Sequence, residues 1–316
     1  MSGIRIIGMG KALPKHKVTN EDMKQFMDTD DEWIRTRTGI STRYHSIEET
    51  HADLCAKAAE AAMQSAGVNV DQIGLLIVAT ITADYATPSA ACVVQQKLGI
   101  PSDCPAFDIG AACSGFVYGL QIVDSMFANH AYNTQKPYAL LIGAEQLSRI
   151  LNKSDRATGM LFGDGAGAAI IKKEESNRFF CKLGAKGDVD ALWTPGAMRE
   201  DPWIHMDGKQ IFRFAVSIMS LGLKDMEAAS AIPITEFDYI VCHQANIRII
   251  EHVRKKLKLP QEKFVINIQK YGNTSGASIP MALAELYQSG KCTPGTKVVC
   301  LGFGAGLTWG SAYLEF

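Results

Sequence analysis

The sequence has no Cys-x-x-Cys pair, no apolar segment longer than Ile73–Ala79 and almost no net charge. Eight cysteines, at 55, 92, 104, 113, 181, 242, 292 and 300, are too sparse in 316 residues for a disulfide scaffold. They are expected as reduced thiols in a cytoplasmic compartment. The apolar segment falls far short of the roughly 20 residues that cross a bilayer, so no membrane association is expected. Residues Met1 to Ile7 lack the basic region and long apolar stretch of a signal peptide, and Gly8 and Gly10 end their apolar run. With 32 Lys and Arg against 33 Asp and Glu, nothing draws the chain as a whole toward nucleic acid. None of the seven histidines lies at ligand spacing from another or from a cysteine pair, so no metal is expected.

What remains, at 47% hydrophobic and 21% charged, is a folded chain with one large core or two smaller ones. Short apolar runs recur at Leu75–Ala79, Ala106–Ile109, Tyr138–Ile142, Ala166–Ile171, Tyr239–Val241, Phe264–Ile268 and Lys297–Leu301. They do not alternate with polar residues, which suits strands covered on both faces. Between them, Asp53–Ala66 carries Leu54, Ala58, Ala62 and Ala66 on one helical face and stops at Gly67. Asn246–Leu257 carries Ile249, Val253 and Leu257 at the same spacing. Strands alternating with helices predict an α/β layered fold.

A weak internal repeat sharpens that expectation. Leu98-Gly99-Ile100-Pro101 and Leu257-Lys258-Leu259-Pro260, 159 residues apart, each precede an apolar run and a glycine-containing turn. Gly163-Asp164-Gly165-Ala166-Gly167 and Gly302-Phe303-Gly304-Ala305-Gly306, 139 apart, each lead into a strand. Two related halves, residues 1–175 and 176–316, are expected, packed as one body because no flexible linker separates them.

Each chemical candidate has a plain alternative. Cys113 follows the Gly110-Ala111-Ala112 turn and precedes a helix start, where free amides and the helix dipole favour thiolate. Taken singly, a cysteine among Ala and Gly is more often a small buried hydrophobe. His243 ends a strand and opens His243-Gln244-Ala245-Asn246, as a site residue or as a hydrogen-bonded loop residue. Asn273, between Gly272 and Thr274, is a donor or simply a cap. The repeat puts Cys113 and Asn273 on nearly equivalent turns facing one central site, and such a Cys/His/Asn set serves hydrolysis or acyl transfer.

Gly302 to Gly306 could offer amides to an oxyanion. As a phosphate cradle the loop is weakened because a strand follows and no Lys-Ser or Lys-Thr does. Trp33 with Arg35 and Arg37 suits a nucleobase and phosphates, or is an amphipathic helix end with the indole in the core. Arg248, His252, Lys255 and Lys256 form a basic ridge opposite Ile249, Val253 and Leu257. It is a solvated face or a dock for an acidic partner.

Taken together, the motifs Asp31-Glu32-Trp33-Ile34, Arg37-Thr38-Gly39-Ile40, Pro88-Ser89-Ala90-Ala91-Cys92, Ala112-Cys113-Ser114-Gly115-Phe116, Phe162 to Ala169, His243-Gln244-Ala245-Asn246, Gly272-Asn273-Thr274-Ser275 and Thr308 to Ala312 are similar to those of the β-ketoacyl-acyl carrier protein synthase III family. The resemblance runs end to end. It implies the thiolase-like fold, five layers αβαβα from two duplicated halves, in a cytoplasmic homodimer. It further implies a decarboxylative condensation that starts fatty-acid synthesis from acyl-CoA and malonyl-acyl carrier protein, with no cofactor. Cys113 would carry the acyl group, with amides of Cys113 and Ala305 on the oxyanion, while His243 and Asn273 would stabilise the enolate.

By the same resemblance Trp33 and Arg156 would sandwich the adenine of coenzyme A and Arg37 would hold phosphate. Thr29, Gly208, Phe212 and Asn246 would line the entry. Arg248, with Gln244, Arg213, Lys255 and Lys256, would contact the acyl carrier protein. One departure stands out: Thr87 occupies the position where acetyl-selective members have a phenylalanine that closes the acyl pocket from the partner subunit, which implies longer acyl groups. A related ketosynthase of secondary metabolism, a Cys-His-Asn thioester hydrolase and a non-catalytic carrier-binding subunit are the competing readings.

Overall fold

Strands whose successive residues are apolar must be covered on both faces, and in this chain helices supply the cover. The computed structural model describes residues 3–129, 135–196 and 200–316. It opens with β1 (Ile4–Ala12), β2 (His16–Thr19), α1 (Asp31–Thr38) and β3 (Thr42–His45). Next come α2 (His51–Ala66), β4 (Ile73–Ala79), α3 (Ala90–Leu98), β5 (Ala106–Ile109), α4 (Gly115–Ala128), β6 (Tyr138–Glu145) and β7 (Gly165–Lys173). Then follow β8 (Phe179–Asp188), β9 (Leu192–Trp193), β10 (His205–Met206), α5 (Gly208–Ser230) and β11 (Tyr239–Cys242). The chain closes with α6 (Ile247–Lys256), α7 (Ile268–Tyr271), α8 (Ser278–Gln288), β12 (Lys297–Gly304) and β13 (Gly306–Glu315).

Two sheets repeat one topology. In the first, β1 lies antiparallel to β7 and β7 antiparallel to β6, while β6, β4 and β5 are parallel. In the second, β8, β13, β12 and β11 follow the same order and directions. The place of β5 is taken there by a single parallel bridge between Ile240 and Phe264.

Alternation along the strands builds the layers. Ala139 and Leu141 of β6 pack with Phe116, Leu120, Ile279 and Leu283 of α4 and α8, whereas Leu140 and Ile142 pack with Leu54, Ala58 and Ala62 of α2. Val298 and Cys300 of β12 join that central cluster, and Val299 and Leu301 meet Met219, Leu223, Ile249 and Val253 of α5 and α6. The order is therefore αβαβα, with α4 and α8 in the middle. Each fully buried Leu, Ile or Phe of these clusters stabilises the fold by about 2 kcal/mol.

Most expected elements are present, and two readings change. The Phe264–Ile268 run is no strand, because the Gln244 side chain takes over the next rungs of its ladder. Its Nε2 donates to Val265 O at 3.1 Å and its Oε1 accepts from Asn267 N–H at 3.1 Å, after which α7 begins. The repeat also has a different register at the central helices. The turns Ala112–Ser114 and Ser275–Ala277 lead into α4 and α8, so Cys113 matches Gly276, three residues beyond Asn273.

Candidate active site

Both central helices start from the same unusual turn. Ala112 has φ +45° and Ser275 φ +46°, left-handed values that cost a residue with a Cβ and persist where the surroundings impose them. The second turn is pressed onto the first sheet: a Cβ at Gly143 of β6 would come within 2.3 Å of Gly276 O. The end of β12 is pressed onto the first turn, since a Cβ at Gly304 would lie 2.8 Å from Cys113 N and 3.2 Å from its Sγ. Cys113 thus sits between two glycine-lined approaches.

One cavity of about 700 Å³ joins these elements. Its buried end is lined by Cys113, His243, Asn273 and Phe303, which expose no more than 6% of their surface, and by the buried Gly304. Its open end carries Trp33, Arg37, Arg156, Lys209 and Arg248, with Gly208, Phe212 and Asn246 along the wall.

Hydrogen bonds fix the two polar side chains at the buried end. Asn273 Oδ1 accepts from Ser275 N–H at 2.9 Å, which leaves Nδ2 to donate. His243 Nδ1 lies 2.7 Å from the Ser278 hydroxyl at the start of α8, which leaves Nε2, and its ring meets Phe303 edge to face at 5.1 Å. Burial pushes the His243 pKa down to about 3, so the imidazole is neutral at pH 7. Burial likewise pushes the Cys113 thiol up to about 12, against the lowering effect of a Ser275 hydrogen bond. The sequence had suggested a helix start favouring thiolate; desolvation outweighs it, and the resting group is a thiol.

At the open end the indole of Trp33 is flanked by two guanidinium groups, Arg37 at 4.6 Å and Arg156 at 4.4 Å from the ring. Arg156 rests directly on the indole and leaves no room for a ring between them. The N-cap Asp30 accepts from Trp33 N–H at 2.7 Å and holds the first turn of α1. Asn246 caps α6 by accepting from Arg248 N–H at 2.9 Å, and its Nδ2 donates to Arg37 O at 3.0 Å, tying the two basic elements together.

Several candidates lie away from the cavity. Thr29 does not line it, and its buried hydroxyl has no hydrogen-bond partner. Thr87 is exposed and outside the cavity of its own chain. Ala305 lies in the β12–β13 turn beside Gly304, its carbonyl accepting from Thr308 Oγ1 at 2.9 Å. Arg213, Lys255 and Lys256 are exposed outside the cavity, whereas Arg248 is exposed at its open end. Gln244 must be corrected: it is 1% exposed and braced on Cys242 O, Val265 O and Asn267 N, so it builds the loop instead of meeting a partner. Among the described residues, no group of three or more His, Cys, Asp or Glu could hold a metal, and no helix is long and apolar enough to cross a membrane.

The sequence profiles for 3-oxoacyl-(acyl-carrier-protein) synthase III match residues 107–187, and those for its C-terminal part match residues 228–316. Beta-ketoacyl-(acyl-carrier-protein) synthase III of Clostridium perfringens is 42% identical over 332 residues, covering all of both chains. The chain belongs to the β-ketoacyl-acyl carrier protein synthase III family. The enzyme of the same name from Clostridium acetobutylicum is 44% identical, covering 100% of this chain and 99% of that one. The crystal structure of 3-oxoacyl-(acyl-carrier-protein) synthase III from Aquifex aeolicus VF5 superposes with a TM-score of 0.93 at 40% identity, covering 99% of this chain and 100% of the other. The chain is accordingly a condensing acyltransferase with the thiolase-like fold.

Synthase III membership follows from motifs visible in the sequence, but several supporting residues do not. Ser278 and Ser275 had no signal beyond standing at a helix start. Phe303 was hidden in a glycine-rich loop. Glu145 had one: it is the sole charge ending the apolar strand β6, and it is fully buried beside the Ser275 turn.

Proposed function

We propose that the cavity carries out a two-stage decarboxylative condensation, taking an acyl group from acyl-CoA onto Cys113 and passing it to malonyl-acyl carrier protein. In the first stage Sγ attacks the thioester carbon, and the amides of Cys113 and Ala305 hold the oxyanion until coenzyme A leaves. The tight approach of Gly304 to the Cys113 amide supports that pairing. In the second stage malonyl loses carbon dioxide while Nε2–H of His243 and Nδ2–H of Asn273 donate to the thioester oxygen. Neutral donors suit this step, because an enolate needs hydrogen bonds and no base is consumed. The observation that carries the reading is the convergence of buried Cys113, neutral His243 and an Asn273 oriented by Ser275 on one cavity.

At the open end, Trp33 and Arg156 bind the adenine, with Arg156 swinging off the indole as the ring enters, and Arg37 holds phosphate. Gly208, Phe212 and Asn246 line the path of the pantetheine arm. Arg248, with Arg213, Lys255 and Lys256, meets the acidic carrier protein. The reaction uses no cofactor and takes place in the cytoplasm. The duplicated halves divide between β7 and β8, close to residue 175.

A second copy completes the acyl pocket. β5 is a half-exposed edge strand, and the exposed Thr87 lies outside its own chain's cavity, so pairing of two chains is the arrangement that brings Thr87 to an acyl group. A threonine there leaves room for medium or long chains. Intact mass after exposure to acyl-CoAs of different length tests nucleophile and pocket together. Acylation of Cys113 by C8 to C12 thioesters is expected, and Thr87→Phe should abolish it while acetyl transfer persists. Absence of any acyl adduct, or an adduct retained in Cys113→Ala, overturns the reading.

A further inference from the structure

The condensation described above leaves one question at the buried end: where the Cys113 proton goes. His243 is a poor acceptor, because Nδ1 is engaged by Ser278 and burial holds the ring neutral well into the acid range. Glu145 ends β6 within the same buried region. Its Oε2 accepts from Thr82 Oγ1 at 2.5 Å, Ile81 N–H at 3.2 Å and Thr80 Oγ1 at 3.3 Å. Its Oε1 accepts from the Ser275 hydroxyl at 3.3 Å, and Ser275 stands near enough to Cys113 to lower the pKa of the thiol while the Glu145 charge raises it. The Ser275 side chain therefore acts on both the thiol and the carboxylate.

We propose that Glu145 takes up the Cys113 proton through Ser275 while the acyl group is attached, and returns it when the acyl group leaves. The proposal rests on Cys113 being the nucleophile. As Sγ bonds to the thioester carbon, its proton passes to Ser275 Oγ and the Ser275 proton passes to Glu145 Oε1. The carbon–sulfur bond to coenzyme A then breaks, and the departing thiolate is protonated from solvent. When the enolate displaces Cys113, the two proton transfers reverse and the thiol is restored. The buried region thus never has to hold a thiolate and a carboxylate together, an arrangement that its low polarity would penalise.

The environment of Glu145 suits the role. Burial raises its pKa to about 7, so both protonation states are accessible near neutrality. The titratable groups around it are Cys113 from the turn before α4, and Cys55 and His51 from α2. His51 is reached through Thr80 at 2.9 Å. Burial raises the pKa of Cys55 and lowers that of His51, so both are neutral and neither competes for the proton.

The test is the rate of Cys113 acylation by acyl-CoA, followed by intact mass from about pH 5.5 to 8.5, in the full-length enzyme. In the wild type the rate should fall tenfold per unit below about pH 7 as the acceptor becomes protonated. Glu145→Gln should slow acylation about 100-fold at neutral pH and remove that limb. It should leave malonyl-carrier decarboxylation far less affected. Ser275→Ala, which keeps the backbone bond to Asn273, should do the same if the glutamine variant does not fold. A carboxylate that merely repels the thiolate predicts the opposite sign, faster acylation in Glu145→Gln. Faster or unchanged acylation, or a slowed variant that retains the acid limb, overturns the proposal. A wild type that forms no adduct overturns instead the assignment of Cys113.

Discussion

The two ends of the cavity are built on different physics. At the buried end three polar residues expose 6% or less, and two are locked by bonds to helix-start residues, Asn273 to Ser275 and His243 to Ser278. At the open end exposed guanidinium groups are held over an indole by stacking alone, a contact worth about 1 kcal/mol where water reaches it. The buried end is preorganised, since low polarity makes each hydrogen bond strong and an unpaired group costly. The open end is adjustable, as it must be if Arg156 is to leave the indole for another ring. Chemistry belongs to the first and substrate capture to the second.

Mutations can break that division. The largest effect is expected for Cys113→Ala, which should abolish condensation, a loss of about 10⁴-fold or more, while decarboxylation of malonyl-carrier protein persists. Carbon dioxide release that vanishes with the thiol would merge two functions the geometry separates. Asn273→Ala should lower decarboxylation about 10²- to 10³-fold, the usual cost of an oxyanion donor, and leave Cys113 acylation near wild type. Equal decarboxylation in both proteins would remove Asn273 from its role.

Gln244→Ala tests whether a residue in the same loop is structural. It strands Val265 O, Cys242 O and Asn267 N–H, so denaturant unfolding should show a loss of about 2–3 kcal/mol, with the carrier-protein KM unchanged. Trp33→Ala should raise the KM for acyl-CoA about tenfold and hardly change kcat, the signature of binding energy not used in the chemical step. Arg248→Ala should be the mildest, raising the KM for malonyl-carrier protein about threefold and flattening its dependence on salt. A large fall in kcat from either of these last two changes would show that the open end does more than capture.

The fold was legible wherever a local pattern decided it. β4 and β5 lie where their apolar runs lie, and α2 ends at Gly67 in the left-handed conformation expected of a C-cap glycine. α2 starts two residues earlier than the apolar stripe indicated, because Thr50 and Asp53 form a capping box that places Asp53 inside the helix. The Phe264–Ile268 run failed as a strand for a non-local reason, the arrival of Gln244 from another loop. Among site residues, the positions of Cys113, His243 and Asn273 on turns after strands were readable. Ser275 and Ser278 were not, since their significance depends on contacts with segments 130 and 35 residues away.

The chain by itself determined that strands alternate with helices, the duplicated plan and the three chemical groups at the site, because these follow from side-chain periodicity and from the residue types present. Only the tertiary structure decided the state of those groups. Whether Cys113 rests as a thiol, His243 as a neutral ring and Glu145 near the middle of its titration depends on how much water remains around each. That is set jointly by two sheets and two central helices, and no local stretch of sequence contains it.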